Sequence, residues 1–259
     1  GTVSFGNATV SHDLIASTNN QAIDLGTANI GGNLSVQSHG GDIVQSTVAG
    51  SSMQVAGTSN LDAGTGNVTS PKITNNGTGN VVIASKASQF EAGTTFANHT
   101  FKNLASLRLG TLTNAVAMTV SGSTDITGDY KVYGAAITQT APVTTSTGSI
   151  TFTGGGAFSN AGALNAGSGL YITGATTLSA TGSWTANAAI DIEATGNIST
   201  NSVSSITVNT GYLKLNSTGG TMSIGKNLSA PGPITLLGGS TTIGGNVIAS
   251  TVDQGILIK

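Results

Sequence analysis

The stretch Gly32-Asn33-Leu34-Ser35-Val36-Gln37-Ser38-His39-Gly40-Gly41-Asp42-Ile43 aligns without a gap to Gly211-Tyr212-Leu213-Lys214-Leu215-Asn216-Ser217-Thr218-Gly219-Gly220-Thr221-Met222. A shorter form recurs at Ile190-Asp191-Ile192-Glu193-Ala194-Thr195-Gly196-Asn197-Ile198. Each copy is an apolar-x-apolar triplet, a glycine turn and a second apolar position. Successive side chains of a strand point to opposite faces, so the triplet puts two apolar groups on one side and its middle residue on the other. The same triplet returns at Val81-Val82-Ile83, Met118-Thr119-Val120, Ile150-Thr151-Phe152, Leu170-Tyr171-Ile172, Ile206-Thr207-Val208 and Ile256-Leu257-Ile258. Between the triplets stand turn formers such as Gly66-Asn67, Asn76-Gly77, Gly148-Ser149 and Gly245-Asn246.

A longer period lies over this one. Residues 40–59 match residues 60–79 at a shift of 20, with Asp42 over Asp62, Val48 over Val68, Met53 over Ile73 and Gly57 over Gly77. Three short strands and three turns fill about 20 residues, a repeat length at which coils stack on one another. The predicted fold is therefore all-β, a parallel β-solenoid (β-helix) of about 20 residues per coil with three short strands in each. The competing architecture is a compact sandwich or barrel, which favours longer strands and less glycine. Residues 1–259 read as one solenoid repeat domain, a segment of a longer chain that opens at Gly1 in mid-pattern. The stretch 94–109 departs from the pattern, with no glycine and with Phe96, Phe101, Leu104, Leu107 and Leu109; it reads as a larger coil, an irregular loop or a short helix.

The composition follows from the repeat. Gly (38), Thr (40), Ser (30) and Asn (22) make up half of the 259 residues, and only 7% are charged, against about 25% in an ordinary globular domain. Three turns per coil call for Gly and Asn, and Ser and Thr can stack in hydrogen-bonded ladders. A charge repeated coil after coil would sit ~5 Å from its own copy and be repelled by it. The eight basic residues are scattered singly, only Arg108 being an arginine, so no basic stripe exists to neutralise phosphates and no nucleic-acid partner is expected. No apolar run approaches the ~20 residues of a spanning helix, and no membrane insertion is expected. With no cysteine, thiolate metal sites and disulfides are excluded.

Gly32-Asn33-Leu34-Ser35-Val36 through Ile43, Leu61-Asp62-Ala63-Gly64-Thr65-Gly66-Asn67-Val68-Thr69 and Leu164-Asn165-Ala166-Gly167-Ser168-Gly169 resemble the repeats of filamentous haemagglutinin-type exoproteins, the large β-helical adhesins of Gram-negative bacteria. The resemblance covers most of the chain in repeat style, and autotransporter passengers share the composition. It implies a right-handed parallel β-helix and export, by two-partner secretion or an autotransporter-like route, to the outer cell surface or the medium. The role implied is adhesion, aggregation or biofilm formation. Neither a secretion domain nor a C-terminal barrel is recognisable.

Parallel β-helices also carry polysaccharide-degrading enzymes, whose chemistry needs paired carboxylates facing one cleft. Asp191 and Glu193 fall on one outer face of a strand; Asp125 with Asp129, and the Asp42–Asp62 stack, are the other candidates. Each also reads as an ordinary solvated face or turn. His12, His39 and His99 are isolated, without metal-ligand spacing, and Gly154-Gly155-Gly156 lacks the Lys and Ser or Thr of a phosphate loop and reads as a turn. Asn-x-Ser/Thr sequons occur at Asn7, Asn33, Asn67, Asn76, Asn98, Asn197, Asn216 and Asn227, close to the about six that the composition produces by chance, and they leave glycosylation of surface turns open. The expectation is a non-enzymatic adhesin or adhesin stalk with no catalytic, cofactor-binding or metal residues. Its expected partners are host or sister-cell receptors or glycans, with end-to-end self-association possible. The alternatives are a self-assembling filament or sheath subunit and, third, a β-helix polysaccharide-degrading enzyme.

Overall fold

The computed structural model describes residues 1–44, 53–57, 59–64, 68–69, 73–75, 81–85, 91–92, 99–102, 107–109, 117–120, 123–200, 205–251 and 255–259. Among them every regular element is a short β-strand and none is a helix. The strands wind into a β-solenoid of roughly 20-residue, three-stranded coils, paired in parallel with the coils before and after. All-parallel pairing rules out the antiparallel sandwich or barrel.

The chain divides into two units, Gly1–Gly110 with Val120–Gly128, and Thr111–Thr119 with Asp129–Lys259. In the first unit the opening coil, Val3–Ser4, Asn7–Val10 and Leu14–Ser17, pairs with the next at a step of 20: Val3 with Ile23, Asn7 with Thr27 and Leu14 with Leu34. The step then changes. Leu34 pairs with Ser59 and Ile43 with Val68, a step of 25, while Met53 meets Ile73 at 20. The expected Asp42–Asp62 stack is therefore incorrect: Asp62 pairs with Gln37 on one side and Ala84 on the other, because the local coil is longer than the sequence shift assumed. Val48 and Gly77 lie outside the described residues. Of the irregular stretch, His99–Lys102 and Leu107–Leu109 are strands and Thr94–Ala97 lie outside the described residues, as do Asn98 and 103–106.

In the second unit, the first strand of each coil lies on one face of the solenoid: Tyr130–Gly134, Ile150–Gly154, Gly169–Ala175, Ala189–Ala194, Tyr212–Ser217 and Ile234–Leu237. The second strands, Ile137–Gln139, Ala157–Asn160, Thr177–Ala180, Ile198–Thr200, Thr221–Ile224 and Ser240–Ile243, make the second face, and the third strands, from Val143–Thr145 to Val247–Ala249, the third. Inward residues stack in register. Tyr130, Ile150, Leu170, Ile190, Leu213 and Ile234 form one fully buried column. Burying an aliphatic side chain of this kind contributes about 1.5–3 kcal/mol. Each strand has few inward positions because the coil encloses a narrow space, which is why the apolar triplets are so short.

Corners are held by two devices. Where the backbone turns left-handed, Gly26 (φ 57°) and Gly174 (φ 76°) avoid the Cβ penalty, and Asn20 and His39 adopt φ 58° and 53°. Elsewhere the residue before a strand clamps the next coil. Asp13 Oδ1 accepts the Asn33 N–H at 2.7 Å, Asp129 Oδ1 that of Ser149 at 2.9 Å, Asn197 Oδ1 that of Thr221 at 2.9 Å and Asn227 Oδ1 that of Asn246 at 2.9 Å. The clamp satisfies an amide that the turn would otherwise leave to water.

Candidate functional site

The outer side of the first face in the second unit carries a concentration of charged side chains. Strand alternation places Lys131, Thr151, Tyr171, Asp191, Lys214 and Thr235 in one outward row, coil on coil. Asp191 and Glu193, read from the sequence as neighbours on one outer face, stand there together, and the following coil sets Lys214 against them. The Lys214 ammonium lies 2.7 Å from Glu193 Oε1 and 3.4 Å from Asp191 Oδ1. The Tyr212 hydroxyl donates to Asp191 Oδ2 across a long 3.4 Å.

These contacts decide the acid–base character of the pair. The hydrogen bond from Lys214 and its positive charge hold the Glu193 carboxyl below its ordinary value, and the same hydrogen bond raises the Lys214 ammonium. Burial, then the nearby Asp191 charge, raises the Tyr212 phenol. Glu193 is thus kept ionised, the opposite of what a general acid needs.

The remaining candidates scatter. Asp125 points outward from Thr124–Ile126 in the first unit. Asp129, in the second, is bound by the Ser149 N–H and by Lys131 at 3.0 Å, and its pKa is lowered, chiefly by that backbone hydrogen bond. His12 Nδ1 lies 3.0 Å from the hydroxyl of its neighbour Ser11, and His39 Nε2 lies 3.4 Å from Ser17 Oγ. His99 pairs with Val81 along the backbone. Of the Gly154-Gly155-Gly156 turn, Gly154 ends the first strand of its coil, and Gly155 and Gly156 form the corner leading to the second. Of the sequons, Asn197 and Asn227 are spent as clamps, Asn33 donates its backbone N–H to Asp13, and Asn7 and Asn216 lie in strands; Asn67, Asn76 and Asn98 lie outside the described residues. No group of three or more metal-binding side chains occurs among the described residues.

Two polar features escaped the sequence reading. Inside the second unit the Tyr130 hydroxyl donates to Gln139 Oε1 at 2.9 Å, Asn160 Nδ2 to the Gln139 carbonyl at 3.3 Å, and the Trp184 indole N–H to Asn160 Oδ1 at 2.8 Å. All four residues are buried, so the network joins three coils through the core. Lys226 is also fully buried, its ammonium 3.4 Å from the Thr181 carbonyl two coils back, and burial lowers its pKa. Neither is visible as a local motif, because the partners lie 9 to 45 residues apart.

Compared with known proteins, residues 11–84 match a family described as "Repeats of unknown function (DUF5649)". The match falls within the first unit and agrees with the repeat architecture. No curated protein and no solved structure matches the chain.

Proposed function

We propose that the chain is a non-enzymatic part of a secreted or surface-anchored bacterial fibre, an adhesin or the stalk that carries one. The observation that supports this reading best is the outward surface of the second unit. On its second face Thr138, Ser159, Ser179, Ser199, Ser223 and Thr242 stand in register, one hydroxyl per coil. On its third face the row is Thr144, Asn165, Thr185, Thr207 and Ser229. Repeated small polar groups make long, even, uncharged surfaces, suited to extension and contact. The Asp191–Glu193 pair favours the same reading, since Lys214 neutralises half of its charge and keeps Glu193 ionised. A chain without cysteine also suits an oxidising exterior.

Beads coated with the purified protein should adhere to bacterial or animal cells, or clump sister cells, above an uncoated control. Beads inert to every cell type would reduce the protein to a spacer. Release of oligosaccharide from a polysaccharide panel, abolished by Asp191→Asn with Glu193→Gln, would replace the reading with an enzymatic one.

A further inference from the structure

Two tyrosines on the first face of the second unit make a surface unlike the hydroxyl rows of the other two. Gly169, Ala189 and Tyr212 are in register on successive coils. A Cβ on Gly169 would lie within 2.6 Å of the Tyr171 hydroxyl, Cζ and Cε2 together. The phenol end of Tyr171 therefore packs against Gly169, in space that a side chain there would fill, and Tyr171 is half-buried. Tyr212, 40% exposed, stands two coils further along. Ala189, in register between Gly169 and Tyr212, is itself 5% exposed, and the Tyr212 hydroxyl reaches Asp191 on that middle coil, so aromatic side chains cover the coil between them as one patch. Asp191, Glu193 and Asn216 border this patch, all on the same face.

We propose that this face binds a neutral linear glycan laid along the stack of coils, with Tyr171 and Tyr212 as one aromatic platform for its sugar rings. The proposal rests on the adhesive reading above and names its partner chemistry. A pyranose has an apolar C–H face, which packs on an aromatic ring, and a rim of hydroxyls, which needs hydrogen-bond acceptors and donors beside the ring. Carboxylate oxygens of Asp191 and Glu193 accept such hydroxyls, and the Asn216 amide can do both. Charge selects among glycans. The ammonium of Lys214 is shared by the two carboxylates, and Lys131 is paired with Asp129. The cluster of two carboxylates and one ammonium is net negative, so sulfated or uronic polymers are repelled and neutral ones are not.

Affinity electrophoresis of the whole protein in gels containing hydroxyethyl cellulose, guar galactomannan or alginate tests this. The expected result is retardation by at least one of the two neutral polymers and none by alginate. Tyr171→Ala and Tyr212→Ala should each weaken retardation about tenfold. Gly169→Val, which keeps Tyr171 but displaces its ring, should do the same, while Thr207→Ala on the third face should leave it unchanged. Thermal melts of each variant separate lost binding from lost fold. Retardation by neither neutral polymer, stronger retardation by alginate, or full retardation of the folded Tyr171→Ala/Tyr212→Ala double variant would overturn the proposal. Coated-bead adhesion without neutral-glycan binding would remove this site and leave the adhesive reading. Glycan binding without adhesion would do the reverse.

Discussion

Asn160 spends both ends of its amide inside the core, on Trp184 and on the Gln139 backbone. Trp184→Phe removes the indole donor and leaves Asn160 Oδ1 buried without it, which costs about 1–3 kcal/mol beyond the lost packing. Urea unfolding should show this as a lower midpoint, and Asn160→Leu added to Trp184→Phe should recover part of it. Asp129 makes a second residue-level prediction. Its folded pKa lies below the ordinary 3.8, so its contribution is complete above that value and lost as pH falls through the folded one. The native protein should therefore lose more thermal stability than Asp129→Asn between about pH 5 and about pH 2, by a small margin because the group is half exposed. Neither side chain announced its role in the sequence. Trp184 sits in an ordinary Trp184-Thr185-Ala186 strand, and the residue that fixes it is 24 positions away. Asp191 and Glu193 were legible as a pair from alternation alone, whereas Lys214, which determines their chemistry, needed the register between coils.

Strands and corners were unevenly legible. Ile150-Thr151-Phe152 and Ile190-Asp191-Ile192 are the strands their triplets suggest, because burial on one side of a narrow coil leaves few other patterns. The phase of the coil was not legible. The two best-aligned repeats begin in different places, Leu34 in the third strand of its coil and Leu213 in the first. The strand–turn–strand unit is a local motif that any side of the coil can use, and a change of step from 20 to 25 residues hides the vertical partner. Glycines divide in the same way. Gly174 needs its φ of 76°, and a Cβ there would lie 2.6 Å from the Gly154 carbonyl; at Gly155 nothing lies within 4 Å. Gly174→Ala should cost about 1–2 kcal/mol or more. Gly155→Ala should stay within about 0.5 kcal/mol of native. Melting temperatures of the two variants, differing by several degrees, check the contrast.

For the molecule as a whole, the scarcity of charge and the excess of Gly, Ser, Thr and Asn have one cause. Each residue lies beside its counterpart in the next coil, so the chain favours groups that tolerate a copy of themselves at strand spacing. The outward Ser and Thr rows are the product, and the proposed contact function depends on their being continuous. That register can be measured directly, since a chain without cysteine accepts paired thiol-reactive spin labels at chosen sites. Ser179 and Ser199 are 20 residues apart in sequence but adjacent on the second face, whereas Thr185, only six residues from Ser179, belongs to the third. Electron paramagnetic resonance of the doubly labelled Ser179→Cys/Ser199→Cys protein should show strong spin–spin broadening, and Ser179→Cys/Thr185→Cys should show far less. Narrow lines from the first pair, or broader lines from the second, would contradict the stacked-coil account.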